Sequence, residues 1–253
     1  IREPLSFFTE NLDMGRNLVH ACHRAWVKRL INLGSSCMYP RNAKNPLTEE
    51  MILTGELEPT NEGYALAKIA VARLCEYVSR QDNAFEYKTL LPCNLFGRHD
   101  KFDPGQSHFI AAALHKVHLA KANEEKSVEV WGDGSARREF MYAGDLAHCL
   151  VEAVNRFESL PETMNVGTGE DLTIDEYYRL VASVVGYQGE FKHDVSKPVG
   201  MQRKLLDVSR AKSWGWKSQT PLRKALEQTY DFYLHGTGNA SGQELSVGKS
   251  DLG

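Results

Sequence analysis

The sequence RLINLGSSCMYP at residues 29–40 predicts a short buried strand that ends in glycine and continues into a loop. A helix is predicted on each side of it, over residues 5–27 and 64–80, because apolar side chains recur there at helical spacing. Residues 87–91 form a second predicted strand, which ends at Pro92. This alternation of helix and strand predicts an α/β fold with a doubly wound parallel sheet.

Beyond residue 97 the predicted elements are shorter and less regular. Strands are predicted at residues 127–131, 137–142 and 164–166, and helices at residues 107–123, 144–156, 174–185, 208–213 and 221–234. A long polar loop is predicted at residues 40–62, and long loops in compact domains often carry function. Residues 236–253 are rich in Gly and Ser without periodicity, which predicts a flexible tail.

The composition excludes several classes of protein. The chain has 253 residues, 42% hydrophobic and 25% charged, a globular mixture that argues against disorder, collagen and coiled coil. A net charge of −3 without a long basic stretch argues against nucleic-acid binding, and no apolar run reaches the roughly 20 residues that span a membrane. The five cysteines include no C-x-x-C pair, so we expect a cytoplasmic location and no metal site.

A tyrosine and a lysine four residues apart open the second predicted helix. Side chains at positions i and i+4 share one helix face, so Tyr64 and Lys68 are expected to lie side by side. The ammonium group can lower the pKa of the phenol and make it a proton donor near neutral pH. The alternative is an ordinary solvated helix face, although Tyr64 is the one tyrosine of ten with Lys four residues on.

Small polar side chains follow the first predicted strand. Ligands of open α/β sheets bind at the carboxyl ends of strands, where Ser35 and Ser36 are expected. A hydroxyl group in that position can donate a hydrogen bond to a carbonyl. The alternatives are a serine-rich turn and, for the Cys37 that follows, a small buried apolar residue.

Together these two segments resemble the extended short-chain dehydrogenases/reductases, in which a Ser lies four residues before Tyr-Pro and Y-x-x-x-K follows on the next helix. Within that superfamily the chain resembles the GDP-L-fucose synthase family from about residue 4 to about residue 234. Five separated motifs carry this resemblance: LGSSCMYP, LEPTNEGYALAK, PCNLFGRHDKFDPGQSH, VWGDGSARREF and RKLLDV. The resemblance implies a Rossmann-like doubly wound sheet with a smaller α/β substrate domain, and NADPH as the cofactor.

The resemblance also implies a role for each motif residue. Ser35 would bind the sugar carbonyl, Tyr64 would donate a proton to the C4 oxygen as hydride arrives from NADPH, and Lys68 would bind the nicotinamide ribose. Cys37 and His108 would form the pair that epimerises C3 and C5. In isolation, His108 would be taken for a surface residue at a helix start, so its assignment depends on the joint match.

Further binding residues follow from the same resemblance. The cofactor would contact Leu33, Gly34, Ser35, Ser36, Tyr64, Lys68, Pro92, Cys93, Asn94, Leu95 and His108. The GDP-sugar would contact Asn94, Lys116, Trp131, Arg138 and Lys204. Cationic side chains suit a diphosphate, and a Trp side chain can pack near a nucleotide; the alternatives are solvated charges and a core aromatic.

The chemistry of the implied reaction explains these residue types. A 4-keto group acidifies the C–H bonds at C3 and C5, so inversion needs a base on one face and an acid on the other. A thiolate and an imidazole meet that need. Hydroxyl groups such as those of Ser35 and Tyr64 can stabilise the enolate oxygen. One carbonyl site can therefore serve both epimerisations and the reduction.

The chain departs from the family at its start. No Gly-rich strand–turn–helix precedes residue 33, so about 80 residues of the family's first sheet half have no counterpart. We therefore expect a longer protein or a lost N-terminal part, and the preference for NADPH over NADH is not encoded in these residues. Gly167-Thr-Gly169 and Gly236-Thr-Gly238 are not expected to bind pyrophosphate.

Domain boundaries follow from the same comparison. Residues 1–97, with residues 139–157 returning to them, are expected to form the second half of the dinucleotide-binding domain. Residues 98–138 and 158–235 are expected to bind the GDP-sugar. Gly63, Lys116 and Val199 differ from the family's usual residues, which suggests altered sugar specificity.

Several functions stay open. The principal one is conversion of GDP-4-keto-6-deoxy-D-mannose to GDP-L-fucose; a related GDP-deoxysugar enzyme of the colitose type, or a reductase without epimerase activity, is the near alternative. A truncated non-catalytic binding or dimer partner and a Cys–His hydrolase are alternatives of other classes. By resemblance, we expect a homodimer formed through the helices at residues 5–27 and 64–80.

Overall fold

The computed structural model describes residues 3–103, 107–197 and 200–236. The first part contains α1 (Pro4–Arg24), β1 (Arg29–Leu33), α2 (Glu62–Gln81), β2 (Glu86–Pro92) and β3 (Asn94–Phe96). It continues with α3 (Phe109–Ala122), β4 (Ser127–Trp131), β5 (Arg137–Arg138), β6 (Phe140–Tyr142) and α4 (Ala143–Asn155). The last part holds β7 (Thr163–Val166), β8 (Leu172–Thr173), α5 (Ile174–Val185), β9 (Glu190–Asp194), β10 (Arg203–Lys204), α6 (Ser209–Trp214) and α7 (Leu222–His235).

A parallel sheet of order β1-β2-β7 confirms the predicted α/β fold. Leu33 of β1 pairs with Leu90 of β2, and Thr89 of β2 pairs with Thr163 of β7. Strand β7 lies within residues 158–235, which differs from the predicted assignment of that whole range to the substrate-binding part. The physical reason is that Met164 and Val166 are apolar and fully buried in the core beside β2.

Helices α1 and α2 pack against each other and run in the same direction. Gly63 lies against Pro4 and Phe8, and Gly15 lies so close to Val71 that any side chain at position 15 would overlap it. Close helix packing therefore depends on these two small residues. The outer faces of the pair expose large apolar side chains, namely Leu5, Phe7, Met14, Leu18, Leu66 and Tyr77.

A second core lies between α3, α5, α7 and the parallel pair β4–β9. Helix α5 begins with a capping box, in which Thr173 accepts from the backbone of Glu176 and the Glu176 carboxylate accepts from the backbone of Thr173. Strand β9 was not predicted. Its sequence, EFKHD, leaves most side chains at least partly exposed and carries a single large apolar residue, Phe191.

The buried carboxylate of Glu139 connects β6 to two distant loops. Its Oε1 atom accepts hydrogen bonds from the backbone nitrogens of Thr168, at 2.6 Å, and Gly169, at 2.8 Å. Its Oε2 atom accepts from the backbone nitrogen of Leu206 at 2.9 Å. The backbone amides of Thr168 and Gly169 are thus already occupied by the side chain of Glu139.

The long loop between β1 and α2 is attached at its middle to the segment after β10. The backbone nitrogen of Leu47 donates to the carbonyl of Leu205 at 2.8 Å, and the nitrogen of Asp207 donates to the carbonyl of Leu47 at 2.9 Å. The side chain of Asn45 accepts from the Leu205 nitrogen at 2.8 Å. These contacts bring the loop next to Lys204.

Within residues 3–103, 107–197 and 200–236, no helix is long and apolar enough to cross a membrane. The same described residues contain no group of three or more His, Cys, Asp or Glu side chains that could hold a metal ion. Val199 and all of the predicted tail at residues 236–253 except Gly236 lie outside the described residues.

Candidate active site

The turn after β1 places a hydroxyl and a thiol side by side. Gly34 passes beneath Leu91, where a β-carbon would lie 2.5 Å from the Leu91 side chain, so the chain can pass there only as glycine. Ser35 then caps a 3-10 turn at Ser36–Met38, with its Oγ accepting from the backbone nitrogen of Cys37 at 3.1 Å. Ser35 and Cys37 are therefore fixed relative to each other by the backbone.

Tyr64 lies in the first turn of α2, and its side chain is close to Ser35 and Cys37. Burial and the nearby Cys37 raise the pKa of Tyr64, whereas a hydrogen bond with the Ser35 side chain lowers it. The net direction is upward, so the phenol stays protonated at neutral pH and can act as an acid. This differs from the prediction that Lys68 lowers the pKa of Tyr64, because burial of the phenol has the largest effect on that pKa and Ser35, not Lys68, is the group that lowers it.

Lys68 lies one turn further along α2, as the spacing predicted. Its Nζ atom donates to the carbonyl of Leu33 at 3.0 Å and lies 5.7 Å from the centre of the Tyr64 ring. Burial lowers the pKa of Lys68. An ammonium group has three N–H donors, so others remain for the hydroxyl groups of a ligand at the end of β1.

The Cys37 sulfur has two donors that join it to other parts of the chain. Asn61 Nδ2 and Lys204 Nζ each lie 3.4 Å from it. Asn61 was not predicted, although its position three residues before Tyr64 at a helix start could have indicated it. Its own Oδ1 atom is buried and has no hydrogen-bond partner among the described residues.

His108 comes directly before α3. It is exposed at the start of α3, and its nearness lowers the pKa of Asp100, which burial raises. In the part of the chain that the structure describes, no hydrogen bond or ion pair joins His108 to Cys37 or Tyr64. A Cys–His hydrolase would need that contact, so the structure gives this alternative no support; residues 104–106, just before His108, lie outside the described residues.

The segment after β2 lies at the carboxyl end of the sheet, as does the turn after β1. Pro92 ends β2, and Asn94 Nδ2 donates to the carbonyl of Glu139 at 2.8 Å. Burial, followed by the nearby Glu139, raises the pKa of Cys93 well above its usual range. Cys93 is therefore a neutral thiol in the wall between β2 and β3.

Two of the predicted GDP-sugar residues meet at Glu129 in β4. Lys116 Nζ donates to the backbone carbonyl of Glu129 at 2.5 Å, and Trp131 Nε1 donates to its carboxylate at 3.1 Å. Trp131 is 58% exposed and has the Lys197 ammonium 5.9 Å from its ring centre. The alternative that Trp131 is a core aromatic is therefore wrong.

The other two cationic candidates lie elsewhere. Burial lowers the pKa of Arg138, and Glu58, a residue that sequence reasoning missed, raises it. Lys204 lies at the Cys37 sulfur rather than beside Lys116. Lys116 and Trp131 thus meet at Glu129 of β4, whereas Lys204 lies at the turn that carries Cys37.

Comparisons with known proteins show what the chain as a whole is similar to. Residues 1–167 match the family described as NAD dependent epimerase/dehydratase. The chain is 50% identical to the GDP-L-colitose synthase of Yersinia pseudotuberculosis, over 94% of this chain and 78% of the relative, and 42% identical to the GDP-L-fucose synthase of Escherichia coli, over 91% and 74%.

Solved structures show the same similarity. A GDP-6-OMe-4-keto-L-xylo-heptose reductase from C. jejuni superimposes with a TM-score of 0.86 at 33% identity, covering 92% of this chain and 78% of the other. A GDP-mannoheptose C4 reductase from Campylobacter jejuni, MlghC, solved with NADP bound, superimposes with a TM-score of 0.83 at 34% identity over the same shares.

Proposed function

Because the chain belongs to the NAD dependent epimerase/dehydratase family, we propose that it is an NADPH-dependent epimerase-reductase that converts GDP-4-keto-6-deoxy-D-mannose to GDP-L-fucose. The observation that carries this proposal is the convergence of Ser35, Cys37, Tyr64 and Lys68 at the carboxyl end of β1. GDP-L-fucose synthases at 42–46% identity support the same activity. No relative supports the alternative of a non-catalytic dimer partner.

The reduction uses the Ser35–Tyr64–Lys68 part of the site. The Tyr64 phenol, kept protonated by its raised pKa, gives its proton to the C4 oxygen. Ser35 binds the same oxygen from the other side, and Lys68, held by the Leu33 carbonyl, binds the ribose of the cofactor. NADPH, when bound, supplies the hydride that reaches C4.

The residues present fit the nicotinamide end of that cofactor. Lys68 is an ammonium group with unused donors, and it lies at the carboxyl ends of neighbouring parallel strands β1 and β2, where such ligands bind. Leu33, Gly34 and Ser36 line the end of β1, and Pro92 to Leu95 lie after β2. The Campylobacter reductase solved with NADP supports NADPH rather than NADH.

The epimerisation uses Cys37 as the base. The sulfur takes the proton from a C–H bond next to the ketone, and the electron pair of that bond moves onto the carbonyl oxygen as an enolate. The hydroxyl groups of Ser35 and Tyr64 stabilise that oxygen. A proton returned from the opposite face inverts the carbon, and we assign this step to His108 on the family resemblance.

A GDP-L-colitose synthase activity is the second candidate. The specific observation in its favour is the 50% identity to the Yersinia enzyme, against 37–46% for the fucose synthases compared. The two activities differ in whether the sugar carries a hydroxyl group at C3. Parallel assays with GDP-4-keto-6-deoxy-D-mannose and its 3-deoxy counterpart separate them, because the preferred substrate has the higher kcat/KM.

Deuterium incorporation tests the epimerase proposal. The protein in D2O with GDP-4-keto-6-deoxy-D-mannose is expected to exchange hydrogen at C3 and C5, and Cys37→Ser and His108→Asn are each expected to slow that exchange. NADPH oxidation then reports the reduction. If NADPH is oxidised without hydrogen exchange, the protein is a reductase only. If neither exchange nor oxidation occurs, the proposal is rejected.

We further propose a homodimer formed through α1 and α2. Phe7, Met14 and Leu18 recur on one exposed face of α1, and Leu66 and Tyr77 recur on one exposed face of α2. Exposed apolar side chains at this spacing are typical of a helical interface. The five cysteines are free, which suits the reducing cytoplasm as the location.

A further inference from the structure

The Cys37 sulfur accepts hydrogen bonds from two donors that are distant from each other in the sequence. Lys204 Nζ in β10 and Asn61 Nδ2 at the start of α2 each lie 3.4 Å from Sγ. The thiol itself is half-buried, whereas the whole Lys204 residue is 8% exposed. The Cys37 sulfur therefore accepts from one cationic donor and one amide donor.

Lys204 has little else to bind. Among the described residues, Cys37 Sγ is its hydrogen-bond partner and no ion pair includes its ammonium group, although the Lys204 charge also lowers the pKa of Cys93, which burial and Glu139 raise. The buried carboxylate of Glu139 is bound instead to the backbone of Thr168, Gly169 and Leu206. A neutral thiol is a weak acceptor, whereas a thiolate is an anion that compensates a buried ammonium group.

Asn61 adds a second donor with a fixed position. It is the last residue of the 3-10 turn at Pro59–Asn61 and comes directly before α2, the helix that carries Tyr64 and Lys68. The Asn61 amide therefore fixes the position of the Cys37 sulfur relative to α2, the helix that carries the proton donor Tyr64. Hydrogen bonds from amide and ammonium groups to an anion are shorter and stronger than those to a neutral acceptor.

We propose that Lys204 and Asn61 are positioning residues for Cys37, which donate to its sulfur and hold it as the thiolate that removes the proton next to the sugar ketone. The inference rests on the proposed function. It gives Lys204 a different role from the diphosphate binding that the family resemblance implies. Lys116 and Trp131, which meet at Glu129, remain the candidates for contact with the nucleotide part.

Alkylation of the thiol tests this without substrate. At pH 7, iodoacetamide forms an S–C bond with loss of iodide, and mass spectrometry of peptides measures the rate at Cys37 relative to half-buried Cys22 in the same molecule. Lys204→Met is expected to slow the Cys37 rate at least about fivefold, because the thiolate is the reacting form. Lys204→Arg should retain most of it.

Asn61→Asp is the second variant. It preserves shape but places a carboxylate beside the sulfur, so it is expected to slow alkylation of Cys37 by a similar factor. Exposed Lys224→Met on α7 is the matched control for loss of a cation and should leave the rate unchanged. Unchanged alkylation in both Lys204→Met and Asn61→Asp, or a failure of Lys204→Arg to exceed Lys204→Met, overturns the proposal.

Deuterium exchange separates this inference from the proposed function. In an active protein, Lys204→Met should lower the exchange rate of GDP-4-keto-6-deoxy-D-mannose at saturating substrate, whereas a diphosphate-binding lysine would raise KM and leave alkylation unchanged. If the unmodified protein shows no exchange and Lys204→Met still slows alkylation, the proposed function fails and the thiolate contact stands. If Lys204→Met does not fold, Asn61→Asp decides the outcome.

Discussion

Oε1 of Glu139 accepts a 2.8 Å hydrogen bond from the backbone nitrogen of Gly169, thirty positions further along the chain. The same oxygen accepts from the nitrogen of Thr168, so the turn is wrapped around one buried carboxylate. The turn also brings Gly167 against the carboxylate, where a β-carbon would overlap it. Glu139 thereby joins β6, the end of β7 and the segment that follows Lys204.

Gly167→Ala is expected to destabilise the protein. The added methyl group overlaps Glu139 Oε1, and overpacking a filled site costs about 1–3 kcal/mol of unfolding free energy. Gly55→Ala, in an exposed loop with 3.2 Å to the Pro40 side chain, is the control and should change it by less than about 0.5 kcal/mol. Urea denaturation measures both; equal effects of the two variants would contradict the overlap.

Asp171→Asn is expected to make stability less dependent on acid pH. Burial raises the pKa of Asp171, but the hydrogen bonds and charges of Arg203 and Arg137 lower it by more. The net shift of this pKa is therefore downward. A depressed pKa contributes stability above the unfolded value of about 3.9, and this contribution is lost as pH falls through the folded value.

The gap between the unmodified protein and Asp171→Asn should therefore be about 1–2 kcal/mol at pH 7 and shrink below pH 4. Thermal unfolding across pH measures it. Exposed Asp231→Asn on α7 is the control and should show no such gap. A gap that widened toward acid pH would contradict the role of the two arginines.

Tyr64→Phe is expected to lower kcat for ketone reduction by at least about 100-fold, since it removes the proton donor. Tyr187→Phe, whose hydroxyl group donates to the carbonyl of Glu125 away from the site, is the control. NADPH oxidation measures both rates. Tyr64→Phe with full activity would mean that another group protonates the C4 oxygen.

In a plot of the reduction rate against pH, Ser35→Ala is expected to move the alkaline decline of the rate to higher pH. The Ser35 hydrogen bond lowers the pKa of Tyr64, so its removal leaves burial and Cys37 to raise that pKa further. Deprotonation of the acid then occurs at a more alkaline pH, although the maximal rate falls. A decline displaced toward neutral pH would show that the titrating group is not Tyr64.

Leu18→Glu combined with Leu66→Glu is expected to give a monomer. Both side chains are exposed on the outer faces of α1 and α2, at 54% and 41%, and a charge there opposes burial in an interface. Light scattering should show twice 28.5 kDa for the unmodified protein and a single chain for the variant. Val154→Glu, 66% exposed on α4, is the control and should stay dimeric.

Much of the fold was predictable because its helices carry clear apolar periodicity. The spacing over residues 64–80 and 174–185 gave α2 and α5 almost to their ends. Helix α1 ends at Arg24 rather than residue 27, since Trp26 adopts a positive φ of 56°. The short strands β3 and β9 were missed because three residues, or five that are all at least partly exposed, carry little pattern.

The candidate site was predictable where spacing alone fixes geometry. Tyr64 and Lys68 are neighbours on one helix, and Ser35 and Cys37 share one turn. The contact between Cys37 and Lys204 joins residues 167 positions apart, and no local pattern encodes it. The placement of His108 relative to this cluster depended on the family resemblance and stays a prediction.

The attachment of Leu47 to Leu205 and Asp207 anchors the middle of the long loop, and contacts of Glu49, Glu50 and Glu56 hold the part that follows. The exposed loop tip at residues 53–55 follows this attachment point in the sequence and precedes the turn that ends at Asn61. An insertion at the tip would leave both ends of the loop anchored, and with them the distance between the thiol and its two donors. The loop tip can therefore vary in length and sequence without changing the spacing of the chemical centre.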